Sequence, residues 1–177
     1  MHYRELSIAG AWEATPRVHA DARGLFVESF QASTLADHVG HGLTVRQVNR
    51  SSSAAGVVRG IHFAAVPPGQ AKYVTCTRGA VVDYAVDLRL GSPTFGTWDT
   101  VLLDDAAHRS VYLPEGLGHM FVSLADDSTV VYLCSQPYAP AREFAVNPFC
   151  AALGIAFPTP GRDGRALEVL LSDKDRE

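Results

Sequence analysis

A rhythm of short apolar runs, cut by turn residues, constrains this chain more than any other feature. β-Branched and aromatic residues cluster near 6–13, 25–30, 43–49, 56–63, 72–76, 80–88, 100–103, 110–113, 119–124 and 129–134. Asp21-Ala22-Arg23-Gly24, Val66-Pro67-Pro68-Gly69, Gly91-Ser92-Pro93 and Asp126-Asp127 stand between runs and carry turn chemistry. Only 33–39 (STLADHV) has helical character, with Ser33 as the expected N-cap. Many strands and almost no helix imply an all-β antiparallel sandwich or barrel. No repeat or linker divides the 177 residues, so 1–177 is expected to form one domain. From about Thr159 the chain turns polar and rich in Gly and Pro, and a surface tail is expected there.

Composition excludes several classes. Hydrophobic residues make up 47% and charged residues 19%, which suits a globular chain rather than a disordered one. A net charge of -4 gives no electrostatic case for nucleic acid. The N-terminus lacks an apolar run suited to a signal peptide, and no stretch approaches the roughly 18–20 apolar residues that span a bilayer. Cys76, Cys134 and Cys150 are odd in number and contain no CxxC pair, which argues against a disulfide framework or structural zinc. The cytoplasm is the expected setting.

The run Val57-Val58-Arg59-Gly60-Ile61-His62-Phe63 poses a problem, because an interior strand here holds an arginine and a histidine. Strict alternation puts Val57, Arg59, Ile61 and Phe63 on one face and Val58, Gly60 and His62 on the other. Other polar residues interrupt apolar runs in the same way. Gln47 and Asn49 share one face of VRQVN, Lys72 opens KYVTC, His119 lies in GLGHMFV, and Tyr132 follows Val130-Val131. Each alone has an ordinary explanation: a bonded core histidine, a strand-end lysine, a core tyrosine. Their number on separate strands argues for convergence, since the strands of a small barrel contribute to one interior.

Gly56 and His62, with Pro114-Glu115-Gly116-Leu117-Gly118-His119, look like fragments of the two cupin-barrel motifs. The metal-binding form has a second histidine at the place of Ala64 and a glutamate near Pro68 and Gly69. Two histidines without a carboxylate make a poor catalytic metal site, which usually takes three protein ligands. A cupin without a metal is the expectation.

RGIHF, PPGQAKYV, VDLRLGSPTFG, LPEGLGHMF, VYLCSQPY and LSDKD together resemble the dTDP-4-keto-6-deoxyhexose 3,5-epimerases. These motifs extend from Arg23 to Asp175. The resemblance implies a cupin jelly-roll barrel, usually a homodimer, and a cofactor-independent, metal-free isomerase acting on a dTDP-4-keto-6-deoxyhexose. It implies that His62 is the base, Asp175 its partner, Tyr132 the proton donor on the opposite sugar face, and Lys72 the group near the C4 oxygen. Arg23 and Arg59 match pyrophosphate contacts. Glu28, Gln47, Asn49, His119 and Glu143 match further pocket positions, and Tyr138, with Phe26 nearby, matches the residue that stacks on thymine. An N-terminal strand crosses to the partner in this family, so Arg23, Phe26 and Glu28 are expected to serve the neighbouring pocket.

The chemistry agrees with these residue types. A base that removes a proton α to a ketone works best near its operating pH, and unperturbed histidine sits near 6.5. An aspartate fixes its tautomer, a lysine stabilises the enolate, and an arginine fork suits phosphate. Departures from the family pattern are Met120 after His119, Cys150-Ala151 for an Asp-Pro pair, and Phe157 for tryptophan. Met120 is expected beside the pocket, and relatives continue past LSDKD where this sequence ends at Glu177. Composition favouring Ala, Gly, Arg and Asp over Lys and Asn resembles that of streptomycetes and favours antibiotic deoxysugar assembly. A nucleotide-sugar 3,4-ketoisomerase and a non-catalytic sugar-binding cupin are the competing readings. For Arg59 and His62 to share a pocket, alternation must break, and a bulge at Gly60 is expected.

Overall fold

Most apolar runs form paired strands, and their buried residues face one of three interiors. The computed structural model describes residues 1–176. Its strands are β1 (His2–Glu5), β2 (Trp12–Thr15), β3 (Val18–Asp21), β4 (Gly24–Val27), β5 (Gln47–Ser53), β6 (Val58–Ala64) and β7 (Lys72–Arg78). They continue as β8 (Ala80–Asp87), β9 (Trp98–Asp104), β10 (Ser110–Leu113), β11 (Leu117–Ser123), β12 (Ser128–Cys134) and β13 (Glu143–Ala145). One α-helix, α1 (Ala32–Val39), separates β4 from β5. The pairing is antiparallel in a six-stranded sheet, β1-β2-β10-β7-β12-β5, and a five-stranded sheet, β13-β6-β11-β8-β9. Strands β3 and β4 form a separate hairpin. Two facing antiparallel sheets make the all-β, cupin-like jelly roll that the sequence implied.

The core between the sheets takes alternate residues from both: Val74 and Cys76, Val81 and Ala85, Leu117 and Phe121, and Val130. Intervening residues face outward into two further clusters. Tyr73 and Tyr112 are covered by Leu35 of α1, Leu43 and Phe30. Ile61, Tyr84, Val86, Met120 and Val122 are covered by Val146, Leu153, Ile155, Phe157, Val169 and Leu171. Strand β11 is therefore buried at every position, which is why LGHMFVS reads as an unbroken run instead of alternating.

Several expectations need correction. The run 6–13 is not a strand: Leu6, Ile8 and Ala11 join the inter-sheet core through a turn at Gly10, whose φ is +83°. Strands form on either side of that turn, β1 pairing with β2. The run 43–49 starts its strand only at Gln47 and extends it through the serines to Ser53. Ser33 is not the N-cap; Gln31 takes that place without a side-chain cap bond. Burial of Leu35 and the edge packing of Phe30 on Tyr73 position this helix instead of a cap. Strands β1, β3 and β13 lacked a run long enough to be noticed.

The C-terminal segment is more than a surface tail. Most of 159–176 is exposed, but Val169 and Leu171 join Val146, Leu153, Ile155 and Phe157 in the outer layer over the five-stranded sheet, and Leu170 makes a parallel bridge to Val57. Gly56 permits this approach, because a Cβ there would lie 1.9 Å from the Glu168 carbonyl oxygen. Among the described residues, no helix is long and apolar enough to cross a membrane. Cys76, Cys134 and Cys150 are free thiols.

Candidate active site

The break in alternation lies in β6. His62 pairs with His119 and Arg59 with Phe121, so Gly60 and Ile61 together oppose the single residue Met120. Gly60 adopts a φ of +114°, and a Cβ on it would lie 2.3 Å from the His119 carbonyl oxygen. The extra residue switches parity: Ile61 turns into the outer cluster while Arg59 and His62 both line the cleft. The expected irregularity at Gly60 is present, and its cause is this two-against-one pairing.

The cleft opens at one end of the inter-sheet space and has two lobes, of about 470 and about 510 Å3. Ser51, Arg59, His62, Lys72, Tyr132 and Lys174 line both lobes. His119, Ser172 and Asp175 line the first lobe. Gln47, Asn49, Tyr138 and Glu143 line the second. The inward positions on β5, β6, β7, β11 and β12 explain the polar interruptions of the sequence.

His62 Nε2 lies 2.6 Å from Asp175 Oδ1. The other carboxylate oxygen, Oδ2, accepts from Ser172 Oγ at 2.9 Å, within a short 3-10 turn over Asp173–Asp175. The turn is tied down by Asn147 Nδ2, which donates to the Arg176 carbonyl at 2.7 Å. With Nε2 committed to Asp175, the Nδ1 lone pair is the one left for chemistry. Burial lowers the pKa of His62, and the positive field of Lys72 adds to this; Asp175 opposes both by bonding and charge. Desolvation leads, so the ring is held as the free base near neutral pH.

Lys72 is only 8% exposed, and its ammonium bonds no other side chain among the described residues. Burial lowers its pKa, while Cys134, Glu143 and Asp83 act in the opposite sense. Tyr132 has its pKa raised, chiefly by burial, so its phenol keeps its proton. Its ring meets that of His119 edge-on at 6.4 Å. Arg59 is steadied from below, its Nε donating to Ser53 Oγ at 3.1 Å. Gln47 braces the second lobe: Nε2 donates to Asn49 Oδ1 at 2.8 Å, and Oε1 accepts from the Tyr138 amide at 2.8 Å.

Three candidates are not brought into this cleft. Arg23 and Phe26 sit on the β3–β4 hairpin, where Arg23 pairs with Asp21 at 2.6 Å and Phe26 is 64% exposed. Glu28 follows the hairpin and is exposed. Met120, expected beside the pocket, is fully buried in the outer cluster, because β11 turns every second side chain away from the cleft.

Several site residues escaped the sequence reading. Ser51, Ser172 and Lys174 line the cleft from segments that look like ordinary polar chain. Asp83 is buried and lies 2.8 Å from His119 Nε2. Its signal was available: an acid inside the apolar run VVDYAVD must find a partner. No group of three or more His, Cys, Asp or Glu side chains converges as a metal site among the described residues.

Comparison with known proteins places these features. The family model described as dTDP-4-dehydrorhamnose 3,5-epimerase matches residues 5–177. A dTDP-4-dehydrorhamnose 3,5-epimerase of Mycolicibacterium smegmatis is 57% identical over 100% of this chain and 84% of its own length. The rmlC epimerase of Mycobacterium tuberculosis superposes with a TM-score of 0.93 at 52% identity, over 99% of this chain and 86% of that one. ChmJ, a 3'-monoepimerase of Streptomyces bikiniensis solved with dTDP-quinovose, gives a TM-score of 0.89 at 50% identity, covering 96% of this chain and 83% of that one. A chain with this cleft, matched along nearly its whole length, belongs to the dTDP-4-dehydrorhamnose 3,5-epimerase family.

Proposed function

We propose that the chain is an isomerase that epimerises a dTDP-4-keto-6-deoxyhexose at C3, C5 or both, in deoxysugar biosynthesis. The carrying observation is the His62–Asp175 pair at 2.6 Å, facing a cleft that Tyr132 and Lys72 also line. The C4 ketone acidifies the neighbouring C–H bonds. His62 removes the proton, and Asp175 supports the imidazolium that forms. Lys72 meets the charge developing on the C4 oxygen with an ammonium that no other side chain among the described residues already occupies. Tyr132 returns a proton to the opposite face of the ring, after which solvent restores both groups. Arg59 holds the pyrophosphate, while Gln47, Asn49, His119 and Glu143 surround the sugar and Tyr138 stacks on the thymine.

The same reading makes the working unit a homodimer, in which Arg23, Phe26 and Glu28 of one chain complete the partner's cleft. The exposed apolar residues of the hairpin, Leu25 and Phe26, support it. No cofactor is required by this chemistry, and the setting is the cytoplasm. An intact His62–Asp175 pair with Tyr132 favours epimerisation over 3,4-ketoisomerisation or binding alone.

The test is proton exchange with dTDP-4-keto-6-deoxyglucose in heavy water, followed by NMR at C3 and C5. Wild-type protein should introduce deuterium at one or both carbons, and His62→Asn should abolish exchange while nucleotide binding persists. No label at either carbon with the wild-type protein would overturn the proposal.

A further inference from the structure

A second His–Asp pair stands beside the first. His119 and His62 are direct partners on β11 and β6, and each gives its Nε2 to a buried carboxylate. Asp83 Oδ2 lies 2.8 Å from His119 Nε2, and Asp83 Oδ1 has no hydrogen-bond partner among the described residues. The inward neighbours of Asp83 on β8, Val81 and Ala85, are apolar, and Phe121 stands opposite on β11. Among the described residues the carboxylate therefore hydrogen-bonds one nitrogen only. A carboxylate can only accept, so Nε2 must carry the hydrogen, and in the neutral ring the lone pair is left on Nδ1, the nitrogen without a partner among the described residues.

We propose that Asp83 is a positioning residue that sets how the sugar lies in the cleft, by fixing the Nδ1 of His119 as a hydrogen-bond acceptor. This rests on the epimerase reading. An acceptor there suits a sugar hydroxyl and repels the C4 ketone oxygen, whereas Lys72, with donors only, suits the ketone. The two residues face one lobe with opposite polarity. A sugar turned over in the cleft sets acceptor against acceptor, so one orientation is selected. Orientation decides which carbon His62 faces, and hence how exchange divides between C3 and C5.

Asp83→Asn tests this. The amide can keep its oxygen on Nε2 and bury an unpaired NH2, or turn and donate NH2 to Nε2. Orphan carbonyls are tolerated better than orphan N–H groups, so the amide turns and Nδ1 acquires the hydrogen. In protein labelled with 15N-histidine, His119 is assigned by the signals missing in His119→Gln. Wild type should show a protonated Nε2 and a bare Nδ1, and Asp83→Asn should exchange the two. With dTDP-4-keto-6-deoxyglucose, kcat/KM should fall by one to two powers of ten, the cost of a mispaired buried polar group. The ratio of label at C3 to label at C5 should change. Asp83→Ala, which forces neither tautomer, should lose less than Asp83→Asn; a merely structural carboxylate predicts the reverse order.

A wild-type His119 protonated at Nδ1 overturns the proposal, and this spectrum decides even where a variant does not fold. An unchanged tautomer or an unchanged C3 to C5 ratio in folded Asp83→Asn overturns it as well. Failure of the epimerase reading is recognised separately, as absence of any exchange by the wild-type protein.

Discussion

Burial and opposed charges tune His62, and the sign of each effect can be measured. Ordinary histidine titrates near 6.5, and here desolvation takes the ring below that value despite the Asp175 carboxylate. The acidic limb of kcat/KM, which reports the free enzyme, should therefore lie below pH 6.5. Asp175 raises the pKa, so Asp175→Asn should move that limb to still lower pH. The same change should reduce kcat by roughly 10^2 to 10^4, because the imidazolium loses its support and the tautomer its guide. A limb that moves upward in Asp175→Asn would contradict this account. At this scale the sequence was informative wherever a polar side chain broke an apolar run: Lys72, His119 and Tyr132 were all found that way. Ser51 and Lys174 were not, since serine and lysine in polar surroundings carry no such contrast.

A single glycine determines the geometry of β6. A methyl group on Gly60 would press on the backbone of β11 at His119, and the φ of +114° strains any L side chain. Gly60→Ala should cost about 2–3 kcal/mol of stability by urea denaturation and disturb His62 and His119 together. A midpoint equal to that of wild type would refute the bulge as the organising device. Met120, directly opposite, has the reverse signature. Its side chain is fully buried in the outer cluster, so Met120→Ala should destabilise by roughly 2–5 kcal/mol. The distribution of deuterium between C3 and C5 should stay the same, because the cleft keeps its lining. Strand β5 shows why element boundaries were harder to read. Its inward face, Gln47, Asn49, Ser51 and Ser53, lines the cleft and braces Arg59, so a strand necessary to the site has the composition of a loop.

The whole molecule places its site at a junction of distant segments. Asp175 reaches His62 only because residues 146–171 pack across the outer face of the five-stranded sheet and return the chain to β6. The hairpin carrying Arg23 and Phe26 contributes nothing to the lining of its own cleft, which makes dimerisation testable by complementation. A His62→Asn chain co-refolded with an Arg23→Ala/Phe26→Ala chain should recover exchange activity that neither has alone. Recovery occurs only if the arm serves the neighbouring pocket; a mixture as inactive as its components would show that it does not.

By itself the sequence determined the all-β class and the polar interruptions at Gln47, Asn49, Lys72, His119 and Tyr132, and, once the family resemblance put Arg59 and His62 in one pocket, the need for a fault at Gly60. Each of these is a contrast between near neighbours in the chain: period, polarity and a residue able to take positive φ. Only the tertiary structure decided that Met120 faces away from the sugar, that Asp83 belongs to His119, and that the C-terminal segment is a packing layer. Those facts depend on which face of a strand is covered and by what. That is settled by contacts between residues far apart in sequence, and local pattern carries no trace of them.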